Sequence, residues 1–142
     1  MRLLLDTGIL ARACHPRRYR EVQEWLLALA AQPHELMVSP ISLYELRRGL
    51  ARRGAHESLE LLSRLTQHLV GLPVTIDAVE EAATLAERVA AGGAEVADAD
   101  LLLVAQAKLA GAVWVRADAK LASLGPSCGV DVRTWQAIGA AS

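Results

Sequence analysis

The sequence predicts an α/β fold in which helices cover both faces of a mostly parallel sheet of four to five short strands. Short apolar runs alternate with amphipathic helical stretches along the chain, and within the runs the apolar residues are consecutive. Consecutive apolar positions mark strands buried on both faces, and strand–helix–strand alternation builds a parallel sheet through crossovers. A third observation locates the chemistry. The first run and the run AVWV (112–115) each end just before an aspartate, Asp6 and Asp118. In open parallel sheets, ligands sit beyond the carboxyl ends of the strands.

The elements follow in order. LLLD (3–6) is a strand ending in an acid. YREVQEWLLALAAQ (19–32) sets Val22, Trp25, Leu26 and Leu29 on one helical face. ELMVS (35–39) is the next strand, and Ser39-Pro40 supplies an N-cap followed by proline at the first helical position. That helix carries Ile41, Leu43, Tyr44, Leu46 and Leu50, and the arginine-rich RRGLARRG crosses its end. SLELLSRLTQHL (58–69) is another amphipathic helix, and LPVTI (72–76) is a strand. Asp77 and Glu80 have capping-box spacing ahead of a helix that stops at Gly92-Gly93. A further helix begins in DADLLLVAQAKLAG and ends near Gly111, and AVWV and GVDV (129–132) close the sheet.

At 142 residues the chain makes one domain, 1–142, without repeats or linker. A net charge of −1 argues against charge-driven coating of nucleic acid, although not against a local basic patch. Cys14 and Cys128 lie far apart, with no spacing suited to zinc, and the four histidines are scattered. Two isolated cysteines fit a reduced compartment. MRLLLDTGIL is interrupted by Asp6 and fails as a signal peptide, and no uncharged apolar run approaches the ~18 residues of a membrane span. The expectation is a cytoplasmic protein with no membrane partner.

Four acidic positions stand out: Asp6, Glu45, the pair Asp98/Asp100, and Asp118. Each alone has a structural reading as a helix cap, a turn cap or a solvated helix residue. Asp98 and Asp100, two residues apart on a helix, point about 200° from each other and cannot share a face. Asp98 is placed as the N-cap. Asp100 falls in the first turn, above Leu103, Val104 and Ala107, at the rim of the core. If the acids converge, two carboxylates ~4 Å apart repel by about 4 kcal/mol at an effective dielectric of ~20. They stay ionised together only around a cation, and with no His or Cys cluster a hard ion such as Mg²⁺ or Mn²⁺ is indicated.

Taken together, LLLDTGIL (3–10), SPISLYELRRGL (39–50), DADLLLVAQAKLAGAVWV (98–115) and ADAKL (117–121) resemble the PIN domain, most closely the VapC-type toxin ribonucleases. The pieces stand in the family's order and cover most of the chain. The resemblance implies a three-layer α/β/α sandwich and Mg²⁺- or Mn²⁺-dependent hydrolysis of RNA. It also implies a homodimer and a small antitoxin partner. Position by position it makes Asp6, Glu45, Asp100 and Asp118 the catalytic and metal-holding acids, with Thr7 and Asp98 as accessory residues. One departure matters: where the family usually has Thr or Ser two residues before its last acid, this chain has Arg116. Arg116 either takes over phosphate contact or marks an altered site.

The implied chemistry is in-line attack by a metal-activated water on the RNA phosphate. Arg47, Arg48, Arg52 and Arg53 follow Glu45 closely and are candidates to hold the RNA backbone, with Arg17, Arg18 and Arg20 as a second group. Trp25, Trp114 and Trp135 read as core or interface rather than base-stacking platforms. Two other acidic-site α/β folds fit poorly. A haloacid-dehalogenase-type phosphatase wants DxDxT where this chain has DTGIL, and a receiver domain wants an early acidic pair that is absent. The reading from another class is a catalytically weakened or inactive PIN-like scaffold that binds protein or RNA, and Arg116 is the feature that favours it.

Overall fold

The computed structural model describes residues 1–139; the last three residues of the expected 1–142 domain lie outside the described residues. Strand β1 (Arg2–Leu5) leads through helices α1 (Thr7–Ala13) and α2 (Arg20–Ala30) to β2 (Glu35–Val38). Helices α3 (Pro40–Arg52) and α4 (His56–Thr66) connect to β3 (Val70–Gly71). Then come α5 (Ile76–Ala91), α6 (Asp98–Ala110), β4 (Val113–Arg116), α7 (Leu124–Cys128) and β5 (Val132–Thr134). Among the described residues these strands form one sheet in the order β3-β2-β1-β4-β5, and every pairing is parallel.

The expected layering follows from the pleat. Leu3, Leu5, Leu36, Val38, Val113 and Val115 pack with apolar residues of α1 to α4. Leu4, Met37 and Trp114 pack with α5, α6 and α7. Alternate side chains thus enter opposite cores, which is why the strands read as unbroken apolar runs. Helix α6 buries Leu101, Leu103, Val104, Ala105, Gln106 and Ala107, as expected of a helix apolar on nearly all sides. Cys14 and Cys128 belong to different cores and are both free thiols. No helix among the described residues is long and apolar enough to cross a membrane.

Ser39 acts as the expected cap: its hydroxyl accepts from the Ile41 amide at 3.1 Å, with Pro40 at the first helical position. Ser39→Ala should cost about 1 kcal/mol in urea denaturation, the usual loss when an N-cap hydroxyl is removed. Three expectations need correction. The strand is Val70–Gly71 rather than 72–76, because Pro73 has no N–H to continue a ladder. Leu72 makes one last bond to the Val38 carbonyl, and the Gln106 amide then holds the Leu72 and Pro73 carbonyls at 2.9 and 3.1 Å. Helix α5 is capped by Thr75, whose hydroxyl accepts from the Ala78 amide, so Asp77 sits inside the first turn and no Asp77–Glu80 box forms. At the far edge, strand β5 starts at Val132, three residues later than GVDV suggests, after Gly129 takes the left-handed conformation that ends α7.

Candidate functional site

Strand order reverses direction between β1 and β4, since β2 and β3 extend the sheet on one side and β5 on the other. Crevices at such switch points, beyond the strands' carboxyl ends, are where open parallel sheets bind ligands. Asp6 directly follows β1, and Arg116 is the last residue of β4. The register pairs Leu4 with Trp114 and Leu5 with Val115, and the Asp6 amide bonds to the Val115 carbonyl at 3.0 Å. One further residue along that register sets Asp6 beside Arg116, both projecting to the face that carries α6.

Asp100 comes from the first turn of α6. The Arg116 Nη1 atom lies 3.8 Å from Asp6 Oδ2 and 3.8 Å from Asp100 Oδ1. These are charge contacts too long for hydrogen bonds. The Arg116 side chain is only 11% exposed, and its guanidinium lies over the Trp114 ring at 4.4 Å from the centroid. Its Nε and Nη1 atoms are buried without a hydrogen-bond acceptor. Burial, in the first place, pushes the Asp6 carboxyl above the ordinary aspartate range; Arg116 pulls it down and the Asp100 charge pushes it up again. The Gly8 and Thr7 amides also lower it, although neither completes a cap hydrogen bond.

Glu45 reaches this group through Thr7. The Thr7 hydroxyl lies 2.9 Å from Ser42 Oγ and 3.3 Å from Glu45 Oε1, tying α1 to α3. Ser42, fully buried one turn before Glu45, is a site residue the sequence reading missed. Gly8 is another, since a Cβ there would stand 3.3 Å from the Ala117 methyl and 3.7 Å from Asp6 Oδ2. Trp114, expected in the core or an interface, is fully buried, and it also forms the surface on which Arg116 rests. The signal for that was available: in VWVR, Trp114 and Arg116 are two residues apart and share a face.

Asp118 stands apart, exposed in the turn after β4 with its Oδ1 accepting from the Lys120 amide at 2.9 Å. Asp98 is exposed and is not the N-cap; Ala97 is, with no side-chain cap bond. Asp98 is already helical, at the first position, where a carboxylate interacts only with the helix dipole. Asp98→Asn should therefore lower stability by under about 0.5 kcal/mol in chemical denaturation. Arg47, Arg48, Arg52 and Arg53 are exposed along the end of α3, with Arg48 over the Tyr44 ring. Arg17 and Arg20 pair with Glu57 and Glu24 on the surface.

The donor set of Asp6, Asp100 and Glu45 is all carboxylate oxygen, which suits a hard divalent cation in kind. As arranged, Arg116 supplies the positive charge between the first two, and no group of three or more acidic, His or Cys ligands converges among the described residues.

A family model for the PIN domain matches residues 3–125. The chain belongs to the PIN-domain family. No curated protein sequence matches it significantly. Among solved structures it is similar to VapBC2 from Rickettsia felis bound to a DNA fragment from their promoter, with a TM-score of 0.82 at 20% identity, covering 95% of this chain and 99% of that one. It is also similar to FitAcB from Neisseria gonorrhoeae, with a TM-score of 0.72 at 23% identity over 96% of this chain and 99% of the other. A third PIN-type relative is VapC20 of Mycobacterium tuberculosis, a Sarcin-Ricin loop cleaving toxin, with a TM-score of 0.69 at 22% identity over 87% and 95%. At these identities the likeness establishes the fold, and the expected α/β/α PIN sandwich is the one observed.

Proposed function

We propose that this PIN-domain protein is a divalent-metal-dependent endoribonuclease, the toxin of a toxin–antitoxin pair, acting on RNA phosphodiester bonds. The observation that carries the reading is the meeting of Asp6 and Asp100 around one cationic group at the switch point of the sheet. PIN-domain toxins are typically nucleases, and the similarity to VapBC complexes and to a Sarcin-Ricin loop cleaving toxin supports the assignment.

In this reading Asp6 and Asp100 hold Mg²⁺ or Mn²⁺. Glu45 is kept in place by Thr7, and Asp118, on the exposed turn after β4, joins the acids only when that turn moves toward them. When bound, such an ion supplies a water of lowered pKa and neutralises charge on the scissile phosphate. Burial of Asp6 and the apolar flank of α6 exclude bulk water from one side of the group, which strengthens each charge interaction there. Arg47, Arg48, Arg52 and Arg53 hold the RNA backbone, which they reach from the helix that also carries Glu45. A small cognate antitoxin and a homodimer belong to the same reading.

Incubation of the purified protein with total RNA and Mg²⁺ or Mn²⁺ tests it, with cut ends mapped against an Asp100→Asn control. Discrete metal-dependent ends absent from the control are expected. Ends that persist in the control, or none in either, would refute the assignment. Arg116 favours one other reading, a PIN scaffold that binds a partner without cleaving, and the same assay separates the two.

A further inference from the structure

We propose that Arg116 is an internal counterion that competes with a divalent cation for the Asp6–Asp100 pair. The proposal rests on the reading of these acids as a metal site and adds what governs its occupancy. The guanidinium nitrogen is equidistant from the two carboxylates, at 3.8 Å from each. The guanidinium therefore faces both of the carboxylates that a shared ion would need. The β1–β4 register brings Arg116 beside Asp6, and Trp114, two residues earlier on the same strand face, lies beneath its charged end. The position of the charge is therefore built into the strand.

The charge is permanent, because arginine does not lose its proton in proteins. A divalent ion entering beside it meets twice the repulsion of a unit pair at the same separation. Ion and guanidinium therefore exclude each other, and Arg116 must swing away before the acids can close on a metal. Its attachment allows this. Nη1 touches both carboxylates by charge alone, and neither Nε nor Nη1 has a hydrogen-bond acceptor. Directional bonds would lock the side chain; here charge and the Trp114 face hold it. A threonine or serine at this position would leave the pair open to the ion at all times.

Isothermal titration and melting curves with Mn²⁺, on the parent chain, Arg116→Thr and Arg116→Met, test the competition without reference to cleavage. Arg116→Met keeps the packing on Trp114 and serves if the threonine variant does not fold. Both variants are expected to bind Mn²⁺ at least about tenfold more tightly than the parent, equivalent to about 1.4 kcal/mol. Mn²⁺ should also raise their melting temperatures by more than it raises the parent's. Adding Asp6→Asn to either variant should abolish the gain. Equal affinities in all three proteins would overturn the competition and leave the metal site standing. Failure of all three to bind millimolar Mn²⁺ would overturn the metal site and the competition together.

Discussion

Asp100→Asn is expected to lower RNA cleavage by about 10² to 10⁴-fold, the loss that corresponds to several kcal/mol of metal-dependent stabilisation of the transition state. The change keeps the size and polarity of the side chain and removes only its charge. Asp100 is 30% exposed and makes no hydrogen bond that secures the helix, so circular dichroism should report an intact fold. Asp6→Asn is expected to remove activity to the same extent, with an opposite signature in stability. The Asp6 carboxyl is raised above its unfolded value of about 3.9, by burial first and the Asp100 charge after the opposing pull of Arg116. A raised acid contributes stability in its neutral form, fully present below about pH 4 and lost as pH rises through the folded value. Asparagine is neutral throughout. Asp6→Asn should therefore melt higher than the parent near pH 7, with the difference closing below about pH 4. A lower melting temperature at pH 7 would mean that Arg116 outweighs burial in the folded protein.

Trp114→Ala is expected to cost about 3–5 kcal/mol, read from urea denaturation followed by circular dichroism. Trp114 is fully buried on the β4 face that packs with α6, in one core with Leu4, Met37, Leu103 and Val104. Domains of this kind carry only about 5–15 kcal/mol in total, so this single truncation removes a third or more of the stability unless that total lies at its upper end. Trp114→Phe should cost much less. It keeps an aromatic ring in the core, and the Trp114 indole N–H it removes has no acceptor. Because the ring also lies beneath Arg116, the alanine variant should free the guanidinium from its seat, whereas the phenylalanine variant should retain it.

Residue order made part of this arrangement legible. Asp6 directly follows a strand and Asp100 stands in the first turn of a helix, positions that an α/β crossover pattern brings to one edge of a sheet, whereas Glu45 lies inside α3 and meets Thr7 from there. The opposed directions of Asp98 and Asp100 follow from helical geometry, and they emerge as one exposed and one half-buried carboxylate. The cap assigned to Asp98 failed because local pattern does not say which residue is the last to stay extended; that residue is Ala97, which caps the helix without any side-chain bond. The Asp77–Glu80 box failed for the same reason, since Thr75 two residues earlier captured the helix start. Asp118 shows another limit. It follows the strand that sequence order predicts, but the turn after β4 leaves it exposed, its Oδ1 accepting from the Lys120 amide.

The sequence by itself determined the class of fold, because the period of its apolar residues reports directly how many faces of each strand and helix are buried. It also placed Asp6 and Asp100 at positions that a parallel sheet brings to its carboxyl edge. Only the tertiary structure decided what stands between them. Whether Arg116 points toward the acids or toward solvent depends on the β1–β4 register, the place of α6 and the ring of Trp114, none of which is a local property of the chain. A charge is read from sequence as a residue, but its effect depends on distance and on the water excluded around it.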